Sequence, residues 1–284
     1  LPKVLRNVES REIVQGNPTT AADDLDDIKR LFPTLYGQRS ISFKSSLAGK
    51  AAPAKKGIRA AVVLSGGQAP GGHNVISGIY QFVKQNGGTL FGFTNGPKGI
   101  MTGQYVELND EIISRYSNMG GFDIIGSGRD KIHSKEQFES SLKHCEAMGL
   151  DGLVVIGGDD SNTNACMLAE YFASKGSSVS VVGAPKTIDG DLKNEYVPVS
   201  FGFDTACKVY SEMIGSLAMD ALSSKKKYHF VRLMGRSASH IALECALQTQ
   251  PNMCFIGEEV RAKKMTLSQV TEQLVNLITE RAKA

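Results

Sequence analysis

From Gly57 onward, short all-apolar runs alternate with longer segments of helical period, and this alternation limits the fold more than any other feature of the chain. Ile58–Leu64, Thr89–Phe93, Gly152–Ile156, Ser178–Val182, Tyr228–Leu233 and Met253–Ile256 read as strands. Helices are expected near His73–Gln85, around Ala165–Ser174, and over Asp204–Leu222, Ser237–Thr249 and Thr266–Arg281. Ser134-Lys135-Glu136-Gln137 is a capping box, opening a further helix whose apolar face is Phe138, Leu142, Cys145 and Met148. Thr266 and Gln269 repeat that capping signature. Apolar strands joined through helices belong to parallel sheets covered on both faces, because a parallel crossover needs a helix-length connection. The predicted class is α/β, with parallel sheets flanked by helices in a Rossmann-like arrangement and an N-terminal extension.

That extension, residues 1–56, has no sustained period; Asn17-Pro18, an acidic stretch at 23–27 and a Ser/Ala/Lys-rich link interrupt it. Residues 57–199 are expected to form a phosphate-donor domain, and 200–284 part of a second α/β domain. The chain begins at Leu1 and ends at Ala284 inside a helical pattern, so a fragment is expected. A net charge of +3 over 284 residues gives no reason to expect nucleic acid or an anionic membrane as partner. No apolar run approaches the roughly 18 residues of a membrane span. The five cysteines lack CxxC spacing and read as free thiols of a reducing compartment, so a cytoplasmic location is expected.

In open α/β sheets, ligands bind beyond the carboxyl ends of the strands. After the first strand comes Ser65-Gly66-Gly67-Gln68-Ala69-Pro70-Gly71-Gly72, then a helix start. Glycines here let backbone amides point at an anion, which makes a phosphate cradle; a tight turn with glycines for packing is the alternative. No Walker sequence or GxGxxG occurs. After Gly152–Ile156 comes Gly157-Gly158-Asp159-Asp160-Ser161, whose paired carboxylates can collect Mg²⁺, or else Asp160 or Ser161 caps the helix. After the next strand comes Lys186-Thr187-Ile188-Asp189-Gly190-Asp191. One aspartate can act as general base for a hydroxyl while the other orients it or helps hold a metal-bound phosphate, and Lys186 can offset phosphate charge; a solvated surface loop is the bland reading. Phosphoryl transfer needs positioning and charge neutralisation, which these loops together supply.

These residues resemble the phosphofructokinase family. Gly66–Gly78 is similar to its first phosphate loop, Gly157–Ser161 to its second, Lys186–Asp191 to its catalytic loop, Met234-Gly235-Arg236 to its sugar-phosphate motif, and Gly257-Glu258-Glu259 to a further sugar contact. The resemblance implies that Asp189 deprotonates the 1-hydroxyl of fructose 6-phosphate, with Asp191 beside it and Thr187 on the transferred group. It assigns Mg²⁺ placement to Asp159, donor-phosphate contacts to Gly66, Gly67, Arg129, Gly158, Asp160 and Ser161, and the sugar phosphate to Met234, Gly235, Arg236 and Glu258. Lys227 stands where ATP-using members carry an arginine reaching into a neighbouring subunit, so a homo- or hetero-oligomer is implied, with allosteric control as in the family.

Asp160 and Lys186 resemble the long-form, pyrophosphate-dependent members. A carboxylate at position 160 would repel the α-phosphate of ATP, and Lys186 can meet pyrophosphate. The implied reaction is reversible, Mg²⁺-dependent transfer from pyrophosphate to fructose 6-phosphate, giving fructose 1,6-bisphosphate. The alternatives are an ATP-dependent phosphofructokinase and a non-catalytic regulatory subunit. Long-form members continue beyond this length, where their later part grips the 6-phosphate. His133, His144 and His229 read as structural, whereas His240, one turn after Arg236, suits packing at the sugar site. Lys225-Lys226-Lys227 otherwise reads as a solvated loop, and the Asp204–Leu222 helix buries core or interface side chains.

Overall fold

A computed structural model describes residues 11–45, 57–192, 197–225, 227–235 and 238–283. Two units emerge, residues 1–186 and 187–284.

In the first unit the extension is more ordered than its sequence suggests. Strands β1 (Arg11–Pro18) and β2 (Arg39–Ser45) pair antiparallel around helix α1 (Leu25–Leu31). Its tie to the rest of the unit is electrostatic. The Glu170 carboxylate accepts the backbone N–H of Thr34 at 3.0 Å and of Leu35 at 3.0 Å.

The main sheet follows. Strand β3 (Arg59–Ser65) is buried from Ala60 to Ser65, which requires neighbours on both edges and cover on both faces. It has them: β4 (Thr89–Phe93) and β7 (Gly152–Gly157) flank it in parallel. Between them in the chain lie α2 (Gly72–Gln85), α3 (Pro97–Thr102), β5 (Tyr105–Leu108), α4 (Asp110–Tyr116), β6 (Ser127–Gly128) and α5 (Lys135–Ala147). Helix α6 (Asp159–Ser174) then leads to β8 (Ser180–Thr187), parallel to β7. β5 closes the opposite edge in antiparallel fashion beside β4, and the short β6 adds to β3.

Helices α5 and α6 cover one face, burying Phe138, Cys145, Ala165, Leu168 and Phe172 against Leu153 and Val155. Each large side chain so buried contributes about 2 kcal/mol. The capping box of α5 is present, with the Gln137 amide donating to Ser134 Oγ and the Ser134 amide to Gln137 Oε1.

The second unit is helical. It holds the two-residue β9 (Phe201–Gly202), then α7 (Phe203–Ser224), α8 (His240–Thr249), α9 (Gly257–Ala262) and α10 (Leu267–Lys283). Its buried cluster is Cys207, Ile241 and Cys245, packed by Ile188, Phe203, Tyr210, Ile214 and Leu233. Two expectations are corrected here. Tyr228–Leu233 and Met253–Ile256 form no strand. A β pattern becomes a strand only where a neighbour accepts its hydrogen bonds, and among the described residues none pairs with either run. Tyr228 and Phe230 are accordingly exposed. No described helix is long and apolar enough to cross a membrane.

Candidate active site

The registers set the site. Ser65 aligns with Gly157, and Gly157 with Pro185, so the loops after β3 and β7 leave the same sheet edge as Lys186. Gly66 takes φ 89°, a left-handed conformation that disfavours side chains, and its amide donates to Gly128 O at 2.8 Å. That bond brings the Gly126–Arg129 segment onto the glycine loop. One guanidinium nitrogen of Arg129 lies 3.2 Å from where a Cβ on Gly67 would stand.

Lys186 completes this group. It is 8% exposed, and its Nζ donates to Gly67 O at 2.6 Å. Two cations therefore border one glycine loop, an arrangement that can hold an anion with several phosphate oxygens.

The second loop is fixed from below. Ser161 Oγ donates to Ser65 Oγ at 2.8 Å, and a Cβ at Gly157 would meet Ser161 Cβ at 2.4 Å, so glycine is required by that approach. Asn162 Nδ2 donates to the carbonyls of Gly157 and Gly158, both at 2.8 Å. The N-cap of α6 is Gly158, without a side-chain cap, so neither Asp160 nor Ser161 caps the helix. Asp159 and Asp160 occupy the first turn and are exposed. The helix dipole favours carboxylates there. Asp160 pairs with Lys131 Nζ at 3.3 Å. No cluster of three His, Cys, Asp or Glu occurs among the described residues. Two adjacent exposed carboxylates beside an anion cradle nevertheless fit Mg²⁺, which takes one or two carboxylates and completes its shell from water and phosphate.

The second unit carries the remaining candidates. Ser200 Oγ accepts the Thr187 amide at 3.2 Å and donates to Thr187 O at 3.2 Å, while the Asp189 amide donates to Thr187 Oγ1 at 3.0 Å. The Thr187 hydroxyl thus folds the loop so that Asp189 and Asp191 follow in a tight turn. Gly190 faces the Phe203 ring, and His240 Cβ lies 3.6 Å from where its own Cβ would be, which places His240 beside the aspartates.

Glu258 accepts the Ser239 amide at 2.8 Å, and hydrogen bonding from the Ser239 side chain first, then from backbone amides, holds its carboxyl below the usual range. Met234 is exposed and Gly235 takes φ 151°, while Arg236 lies outside the described residues. Lys227 is exposed. His144 Nδ1 sits 2.9 Å from Ile100 O, His133 Nδ1 3.1 Å from Lys131 O, and His229 3.4 Å from Asp220.

Several supports escaped sequence reading: Ser65, Ser127, Asn162, Asn164 and Lys131. All but Asn162 act through a partner distant in sequence, as when Asn164 brackets the backbone of Ile132.

A family profile described as phosphofructokinase matches residues 59–284. The β1 subunit of pyrophosphate–fructose 6-phosphate 1-phosphotransferase from Arabidopsis thaliana is 56% identical over 284 residues, covering 99% of this chain and 50% of its own. The protein named pyrophosphate–fructose 6-phosphate 1-phosphotransferase in Treponema pallidum is 50% identical, covering 99% of this chain and 51% of its own. The chain thus spans about half the length of the curated relatives it matches. The solved phosphofructokinase of Saccharomyces cerevisiae superposes with a TM-score of 0.68 at 24% identity, over 80% of this chain and 31% of that one, a likeness of fold.

Proposed function

This chain belongs to the phosphofructokinase family, and from that premise we propose that it carries the phosphate-donor site and catalytic loop of an enzyme moving a phosphoryl group from pyrophosphate to the 1-hydroxyl of fructose 6-phosphate. The observation that carries the reading is Lys186, buried at the end of β8 and hydrogen-bonded into the glycine loop that Arg129 also borders. The relatives named for the pyrophosphate reaction support the same donor.

Asp189 serves as general base. It takes the proton of the 1-hydroxyl as that oxygen bonds to the terminal phosphorus of pyrophosphate, and the bridging P–O bond breaks to release phosphate. Asp191 orients the hydroxyl, and Thr187 contacts the group in transfer. Gly66, Gly67, Gly158 and Ser161 offer the cradle, while Arg129 and Lys186 neutralise negative charge that grows on the leaving phosphate. Asp159 would hold Mg²⁺, which would supply positive charge to the phosphoryl group in transfer. Asp160 repels a third phosphate group and so disfavours ATP. Met234, Gly235, Arg236 and Glu258 hold the sugar phosphate.

The enzyme works in the cytoplasm as an oligomer in which Lys227 reaches a neighbouring subunit. Exposed Met213, Met219 and Leu222 on α7 suit such assembly. The test is formation of fructose 1,6-bisphosphate with Mg²⁺ by the full native chain, with pyrophosphate and ATP compared. Turnover with pyrophosphate alone is expected. Turnover with ATP alone would overturn the donor assignment, and silence with both would point to a regulatory subunit.

A further inference from the structure

His73 follows the glycine loop directly, in the first turn of α2, and is 1% exposed. Its imidazole holds the backbone of a distant turn. The Gly121 amide donates to Nδ1 at 3.2 Å, and Nε2 lies 3.1 Å from both Asp123 Oδ1 and the Ile124 amide nitrogen. The tautomer with hydrogen on Nε2 satisfies two of the three contacts: Nδ1 accepts from Gly121 and Nε2–H donates to the Asp123 carboxylate, so the Ile124 amide is held through the turn those two bonds anchor rather than by the ring itself. Asp123 and Tyr116, whose ring meets the imidazole edge-on at 5.0 Å, are the titratable groups facing it from the turn and from α4.

Gly121 and Ile124 bracket Phe122, which is 1% exposed. The Phe122 ring packs on Gly72, 2.4 Å from where a Cβ would stand, and lies under Lys186, with Nζ 5.8 Å from the ring centroid. Lys186 in turn donates to Gly67 O. Contacts run unbroken from His73 through Phe122 to the cation on the glycine loop.

We propose that His73 is a positioning residue for the donor site: it clamps the Gly121–Ile124 turn so that Phe122 keeps the Lys186 ammonium against the glycine loop. This inference rests on the donor reading above. The imidazole itself contacts no substrate and acts only through Phe122 and Lys186. It must also stay neutral, since a proton on Nδ1 would face the Gly121 N–H. Burial favours that state, pushing the His73 pKa below 6.5 against the opposing pull of Asp123.

Two measurements on the full native chain test the clamp: calorimetric binding of Mg²⁺-pyrophosphate, and amide exchange at Gly121 and Ile124. His73→Ala should weaken pyrophosphate binding about tenfold, the scale of one lost buried hydrogen bond, and speed exchange at both amides, with fructose 6-phosphate binding unchanged. His73→Asn keeps an acceptor near the Nδ1 position but cannot titrate. It should restore binding to within about threefold and lose less pyrophosphate affinity on acidification than the wild type does, both measured against the ligand's own titration.

Gly121→Ala supplies a second route should His73→Ala fail to fold, because its methyl would press on both members of the His73–Asp123 pair, Asp123 Oδ1 at 2.7 Å and His73 Cε1 at 3.1 Å. The same selective loss is expected. Unchanged pyrophosphate binding in His73→Ala or Gly121→Ala overturns the proposal, as does equal weakening for both substrates. A wild type that binds no pyrophosphate removes the donor reading instead; the clamp then stands or falls on exchange at Gly121 and Ile124.

Discussion

The first unit seats Lys186 at 8% exposure inside a sheet edge where every loop is tied to its neighbour, whereas the second presents Met234 at 62% exposure on a frame of helices. Beneath Lys186 and its glycine loop lies a cluster from Ala61 to Val179; in the second unit the buried cluster among the described residues is Cys207, Ile241, Cys245 and their neighbours. The contrast follows from how each unit satisfies its backbone. Parallel strands bury their faces and align their carboxyl ends, so loops far apart in sequence meet. Helices satisfy themselves and leave side chains such as Phe230, at 74% exposure, uncovered.

The proposed roles put chemistry in the second unit and donor binding in the first, and that division can be broken most sharply at Asp189. Asp189→Asn should lower kcat by about 10²- to 10⁴-fold, the usual worth of a general base, while calorimetry finds pyrophosphate binding intact. Loss of binding alongside kcat would show that the division is wrong.

Next in size is packing. Phe172→Ala, in the large cluster, should cost about 3–5 kcal/mol in chemical denaturation. Leu247→Ala, at 67% exposure in the second unit, should stay within about 0.5 kcal/mol. A comparable penalty at Leu247 in the full native chain would reveal that its surface is covered there.

Asp160→Gly should weaken pyrophosphate use on the order of tenfold, equivalent to about 1.4 kcal/mol, and admit ATP. Donor kinetics unchanged in both respects would refute the charge-repulsion account while leaving the fold untouched.

The smallest effect separates the units by pH. His73 has a native pKa below 6.5, so between that lowered value and 6.5 the unfolded chain binds more protons, and stability falls as pH drops through this window. Glu258 is also depressed, from 4.5, so its contribution is complete above 4.5 and vanishes as pH falls through the lower native value. Acid titration followed by local amide exchange should therefore loosen Gly121 and Ile124 before Ser239. The reverse order would contradict both assignments.

Much of the first unit was legible in the sequence. The strand Thr89–Phe93 matches residue for residue, and the capping box at Ser134 forms as read. Local signals sufficed because β3 is apolar from Ala60 to Leu64, β7 carries no polar side chain, and their loops start with glycine. The extension was harder to read, since the β1–β2 ribbon is held by pairing across an intervening helix rather than by a local period. The two false strands of the second unit, Tyr228–Leu233 and Met253–Ile256, show the opposite failure: β-prone composition without a neighbour to pair with.

The sequence by itself determined the α/β class, the three glycine- and aspartate-bearing loops, and the family, because periodicity and motif spacing are properties of neighbouring residues. Only the tertiary structure decided that Lys186 meets Gly67, that Arg129 borders the same loop, that Gly158 rather than Asp160 begins α6, and that His73 accepts the Gly121 amide. Each of those is set by strand register and by burial of a polar group that must find a partner, and such partners lie far away along the chain.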